Sequence, residues 1–72
     1  MEVNKIFGDR LRMLRLKRRM TQKDLGEIIG LTSKSISTIE NGLNSTTFEN
    51  LVLLATFFNV STDYLLGLKD EP

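Results

Sequence analysis

Two short runs of helical periodicity, joined by only three residues, constrain this chain more than any other feature. Residues 22–29 and 33–40 each repeat apolar side chains at three- and four-residue spacing, with Gly30, Leu31 and Thr32 between them. A connection that short forces two helices to cross steeply, so the residues around the turn face fixed steric demands. Counting from Gln22, the fourth, eighth, tenth, fifteenth and eighteenth positions must be apolar to fill the space between the helices. They are Leu25, Ile29, Leu31, Ile36 and Ile39. The fifth must be small because the second helix of the pair passes over it, and it is Gly26. The ninth must accept a positive φ, which glycine does without a steric penalty, and it is Gly30. Every constrained position carries a residue that meets its constraint, so residues 22–41 read as a helix-turn-helix unit.

The rest of the chain extends the helical pattern. A first helix is expected over residues 4–19, with Ile6, Phe7, Leu11 and Leu14 along one side. Met20 begins a break, and Thr21 is placed to accept from the backbone N–H of Asp24 as the N-cap of the next helix. Thr32 caps the third helix and Asn41-Gly42 ends it. Thr47 caps a fourth over 48–59, and Ser61 caps a short fifth that closes at Gly67. Residues 43–46 form the longest connection. The single proline is the last residue, and no stretch alternates apolar and polar with period two, so strands are not expected. The fold class is all-α, a compact five-helix domain over 1–67, with 68–72 as a frayed C-terminal tail.

The residue types present exclude several kinds of chemistry. With no cysteine and no histidine among 72 residues, disulfides, thiolate-bound zinc, thiol nucleophiles and the commonest general base are all absent. No two carboxylates stand apart from the solvated surface as an acid–base pair, and no cofactor or metal is expected. An enzyme is therefore a poor reading. No apolar run approaches the roughly 18 residues of a membrane span, and Met1–Lys5 lacks the basic head and apolar stretch of a signal peptide. A cytoplasmic protein of bacterial or phage origin is the expectation.

The formal net charge of +1 hides an asymmetry. Residues 1–46 carry nine Lys/Arg against five Asp/Glu, whereas residues 47–72 carry one against four. One side of such a domain can face phosphates while the other stays free for a partner. Charge alone does not separate that arrangement from a solvated helix face over Arg10–Arg19.

The segments Thr21-Gln22-Lys23-Asp24-Leu25-Gly26, Gly30-Leu31-Thr32 and Ile36-Ser37-Thr38-Ile39-Glu40-Asn41-Gly42 resemble the lambdoid repressor and Cro family of DNA-binding domains, also called the Xre family. Phe7-Gly8 with Leu11 to Arg15 is similar to that family's first helix, and Leu51 to Ser61 to its fourth. Residues 61–67 are similar to the ending of many short repressors of prophages and mobile elements. One departure is Gly26, where the family usually has alanine.

The resemblance implies a sequence-specific regulator of transcription, a repressor on a palindromic double-stranded DNA operator. The third helix would lie in the major groove. Its residues facing away from Ile36 and Ile39 are Ser33, Lys34, Ser35, Ser37 and Thr38, and the resemblance places Ser33, Lys34 and Thr38 at base edges. Lys34 suits guanine O6 and N7, while the Thr38 hydroxyl and methyl are less selective. Gln22 and Asn41 resemble the family's phosphate contacts, to which Thr21, Lys23, Asn44 and Ser45 are added. The resemblance also implies a partly buried ion pair between Arg15 and Glu40, with Arg15 either a strut or a strut that reaches a phosphate. Among the remaining cations, Lys17 to Arg19 stand closest to the second helix.

A single short reading helix contacts few base pairs, so a homodimer is expected. Leu53 falls where the family usually carries a polar residue, and with Phe57, Tyr64 and Leu68 it defines a candidate dimer face. Phe57 and Tyr64 equally suit thickening a small core, and the sequence leaves both open. Three other functions share the fold: a restriction-modification controller, an antitoxin whose apolar patch binds a toxin, and a protein-interaction module that does not read DNA. A toxin or an antirepressor is the kind of protein partner such a patch would serve.

Overall fold

The apolar spacing is realised as five helices, α1 Val3–Lys17, α2 Gln22–Ile29, α3 Ser33–Glu40, α4 Phe48–Phe58 and α5 Thr62–Leu66. They are seen in a computed structural model that describes residues 2–72. No strand occurs among the described residues. Four of the five helices begin at a hydroxyl: Thr21, Thr32, Thr47 and Ser61 accept from the backbone N–H of Asp24, Ser35, Asn50 and Tyr64. Each such cap stabilises its helix by about 1 kcal/mol, which matters where the helices have eight residues or fewer.

Two helix ends differ from the sequence expectation. α1 stops at Lys17 rather than Arg19 because Arg19 takes the left-handed conformation, φ 55°. The Arg19 N–H donates to the Leu16 carbonyl and the Met20 N–H to that of Arg15, closing the last turn. No glycine marks this end, so the sequence carries no local sign of it. α4 likewise stops at Phe58, with Asn59 at φ 55°, a conformation asparagine tolerates better than most residues.

All five helices converge on one core: Phe7 and Leu11 of α1, Leu25 and Ile29 of α2, Ile36 and Ile39 of α3, Leu54, Ala55 and Phe58 of α4, and Leu65 of α5. Two glycines set how closely the backbones approach. A Cβ on Gly8 would run into the carbonyl oxygens of Ile39 and Glu40, so α1 lies directly on the C-terminal turn of α3. A Cβ on Gly26 would strike the carbonyl oxygen of Leu31. Space over the fifth position is therefore closed by the turn itself, not by the body of α3 as the sequence reading has it. Glycine in place of the family's alanine fits that closer turn.

Residues 68–72, expected to fray, instead fold back over α1 and α5. The Arg10 guanidinium donates to the carbonyls of Tyr64 and Lys69 and pairs with Asp70 at 3.1 Å. Arg10 also covers the Tyr64 ring at 4.3 Å, and the Ser61 N–H donates to the Pro72 carbonyl. A single arginine thus contacts one carbonyl of α5 and a carbonyl and a carboxylate of a tail with almost no apolar residues.

Candidate nucleic-acid interface

A buried polar cluster fixes the direction of α3. Glu40, on its last turn, is only 4% exposed and Arg15 of α1 only 7%. Arg15 Nε and Nη2 donate to the two Glu40 carboxylate oxygens at 2.7 and 2.9 Å, a planar two-point pairing. Arg15 Nη1 donates to the Met20 carbonyl at 2.8 Å, and Gln22 Nε2 to Glu40 Oε1 at 3.2 Å. No buried side-chain nitrogen or oxygen among the described residues lacks a partner. The hydrogen bonds to Glu40 hold the Arg15 guanidinium protonated beyond its ordinary strength, against the desolvation that opposes it. Three elements, the end of α1, the start of α2 and the end of α3, are thus tied at one carboxylate. Arg15 is occupied on all three guanidinium nitrogens, which is the geometry of a strut.

With Ile36, Ile39 and Glu40 turned inward, the opposite side of α3 faces solvent. Ser33 and Lys34 are exposed, and Ser35, Ser37 and Thr38 are half-buried. Thr38 Oγ1 donates to the Lys34 carbonyl at 2.9 Å. Ser35 belongs to the helix cap: its N–H donates to Thr32 Oγ1, and its hydroxyl oxygen accepts from Thr32 at 3.0 Å. Lys34, Ser35 and Thr38 form one wall of an open groove of mixed polar and apolar lining, and Asn44, Ser45 and the start of α4 form the other. Ser33 and Ser37 lie outside its walls.

The expected phosphate contacts are spread over two edges of this surface. On one edge, Thr21 is held in a reciprocal cap, its N–H donating to Asp24 Oδ2 at 2.9 Å, while Lys23 is exposed. The bonds from the Thr21 backbone and side chain hold the Asp24 carboxyl below the usual aspartate range. Gln22 is half-buried and turned to Glu40 through one Nε2 hydrogen, so its amide oxygen, its second Nε2 hydrogen and its backbone N–H are what remain for an outside partner. On the other edge Asn41 is exposed, and it shares a polar hollow with Asn4 and Lys5 of α1. Lys5 was not singled out from the sequence. Its signal is Gly42, where a Cβ would come within 3.0 Å of Lys5 Cα, a proximity no sequence spacing reveals.

The four residues of the candidate dimer face are not equally free. Leu53 is 51% exposed and Leu68 63%. Phe57 packs edge-on to Phe58 at 4.9 Å and is roofed by the Arg18 guanidinium, also at 4.9 Å, and Tyr64 lies under Arg10. Arg18 is accordingly turned to aromatic rings. Phe48, 88% exposed, and Val52 join Leu53 in a strip along the first half of α4, and the sequence reading missed both. Among the described residues no helix is long and apolar enough to cross a membrane, and no three acidic residues converge as a metal site.

A tight helical pair, a third helix with an inward-locked face and an outward polar face, and a fourth and fifth helix completing the core together define a helix-turn-helix protein. Residues 11–65 match the helix-turn-helix family HTH_3, and the chain belongs to that family. It is 37% identical over 67 residues to the uncharacterized HTH-type transcriptional regulator YobD of Bacillus subtilis, covering 93% of this chain and 60% of that protein. It is 32% identical to the control protein C.SmaI of Serratia marcescens, covering 99% of this chain and 88% of that one. The chain spans about half the length, 50%, of a further relative, the regulator ImmR of Bacillus subtilis. Among solved structures it is similar to the P22 c2 repressor in complex with a synthetic operator, with a TM-score of 0.78 and 35% identity over 83% of this chain and 91% of that one. The restriction-modification controller C.AhdI of Aeromonas hydrophila matches with a TM-score of 0.75 and 29% identity over 86% and 94%.

Proposed function

We propose that this protein is a transcriptional regulator that binds a palindromic double-stranded DNA operator as a homodimer and acts as a repressor. The observation that carries the reading is the division of α3, whose inner face is locked by Ile36, Ile39 and Glu40 while Lys34 and the hydroxyls beside it face outward. Similarity to a repressor solved on its operator supports it. In this reading Ser33, Lys34, Ser37 and Thr38 approach base edges, with Ser35 held back in the cap. Lys23, Asn44, Ser45, Asn41 and Lys5 approach phosphates, joined by the free atoms of Thr21 and Gln22. The reading contains no catalytic step. The dimer face is centred on Leu53 with Phe48 and Val52, while Phe57 and Tyr64 stay with the core. A restriction-modification controller is the second reading, favoured because C.SmaI and C.AhdI are covered almost to their full length; both readings bind DNA in the same way.

The test is selection of bound fragments from random DNA, followed by salt titration of the winning site. A symmetric consensus and an affinity that falls steeply with salt are expected. Lys34→Ala should relax preference at one position of each half-site by about 1–3 kcal/mol. No enriched sequence and no salt dependence would leave the fold as a protein-interaction module, and a toxin or antirepressor that co-purifies would give the exposed strip of α4 its partner.

A further inference from the structure

Thr38 stands one helical turn beyond Lys34 on the side of α3 away from the core, and the two present opposite chemistry. The Lys34 ammonium offers only donors. The single Thr38 hydroxyl proton is committed to the Lys34 carbonyl at 2.9 Å, which leaves an oxygen that can only accept. With two heavy atoms on Cβ, holding Oγ1 against the preceding turn also fixes the direction of the methyl group. Thr38 therefore offers DNA an oriented methyl beside an acceptor, not a donor.

Guanine O6 and N7 and thymine O4 are all acceptors that would oppose that oxygen, so it selects neither base; thymine alone carries an apolar group in the major groove, its 5-methyl. We infer, resting on the DNA-binding reading, that Thr38 recognises the 5-methyl of a thymine lying within about two base pairs of the guanine bound by Lys34. The spacing follows from a helix advance of roughly 6 Å over four residues against about 3.4 Å per base-pair step.

The experiment starts from the consensus selected with the intact protein and replaces each thymine near the guanine with deoxyuridine, which lacks only the methyl. Affinity falls about fourfold per half-site at one position, the effect of removing one buried methyl at about 0.8 kcal/mol. Thr38→Val keeps the methyl and should preserve the discrimination of thymine from uracil; Thr38→Ser keeps the hydroxyl and should lose it. A consensus whose affinity ignores uracil at every position overturns the inference while leaving DNA binding intact. So does a Thr38→Val protein that loses selectivity where Thr38→Ser retains it, because the hydroxyl would then be reading an adenine or cytosine amino group. Failure to enrich any sequence overturns the DNA-binding reading itself, and this inference with it.

Discussion

The two faces of α3 are built from opposite materials. Inward, Ile36 has no exposure, and Glu40 is tied by Arg15 and Gln22; each atom has a partner, and the cost of disturbing one is set by packing and desolvation. Outward, Lys34 and Ser33 are exposed and Thr38 bonds only within its own helix. The contrast teaches that the domain's geometric precision lies in the aim of the helix, while its outward face, the proposed reading surface, is left adaptable. Changes to the inner face should therefore move stability, and changes to the outer face should move binding alone.

Glu40→Ala should break that frame most severely. It strands a buried guanidinium, a loss of about 3–5 kcal/mol, and in a domain this small each kcal/mol lowers the melting temperature by about 4–8 °C. Thermal unfolding followed by circular dichroism should show the protein largely unfolded near physiological temperature. An unchanged melting curve would mean that Arg15 finds water or a phosphate as readily as Glu40, which would make it a contact residue and not a strut. Gly26→Ala comes next. Alanine gains about 1 kcal/mol in helix propensity, yet its Cβ meets the Leu31 carbonyl, and moving a backbone carbonyl costs about 1–3 kcal/mol. Net destabilisation is expected, whereas a stabilised variant would show that the turn between α2 and α3 shifts freely.

Arg19→Gly sharpens the comparison from the rim, where the two interests oppose each other. Relief of a left-handed arginine at φ 55° should raise stability by about 1 kcal/mol. Removal of an exposed cation beside the start of α2 should at the same time reduce the salt dependence of DNA binding. A gain in stability with an unaltered salt slope would place Arg19 outside the phosphate-contacting edge.

What the sequence made legible follows the same division. The starts of α2 and α3 and all four hydroxyl caps could be read because each depends on a side chain bonding its own backbone three residues on. The role of Gly30 was legible for a different local reason, the positive φ that a residue without a Cβ accepts. Arg19 gave no sign of ending α1, since any residue can be driven into that conformation by the turn around it. Lys5, Phe48 and the gathering of the tail by Arg10 depend on surfaces that meet only after folding, and no periodicity encodes them. Spacing placed Ser35 and Thr38 on the outward face, but their different hydrogen bonds, which separate a cap residue from a candidate base reader, are visible only in three dimensions.

The smallest expected effect lies where frame and contact surface meet, at the Thr21–Asp24 cap. The bonds from Thr21 lower the folded-state pKa of Asp24, so the ionised carboxylate contributes stability that is fully present above the unfolded aspartate value, about 4. That contribution is lost as pH falls through the lower folded value. The melting temperature of the native protein should therefore decline more steeply below about pH 4 than that of Asp24→Asn, with the two curves closest in the acid limit. At neutral pH the same substitution removes a negative charge beside the N-terminus of α2. If that end of the helix approaches a phosphate, Asp24→Asn should bind operator more tightly even though its cap is weaker, and the gain should vanish at high salt. A variant that is less stable and binds no better would assign Asp24 wholly to the frame and move the phosphate contact toward Lys23.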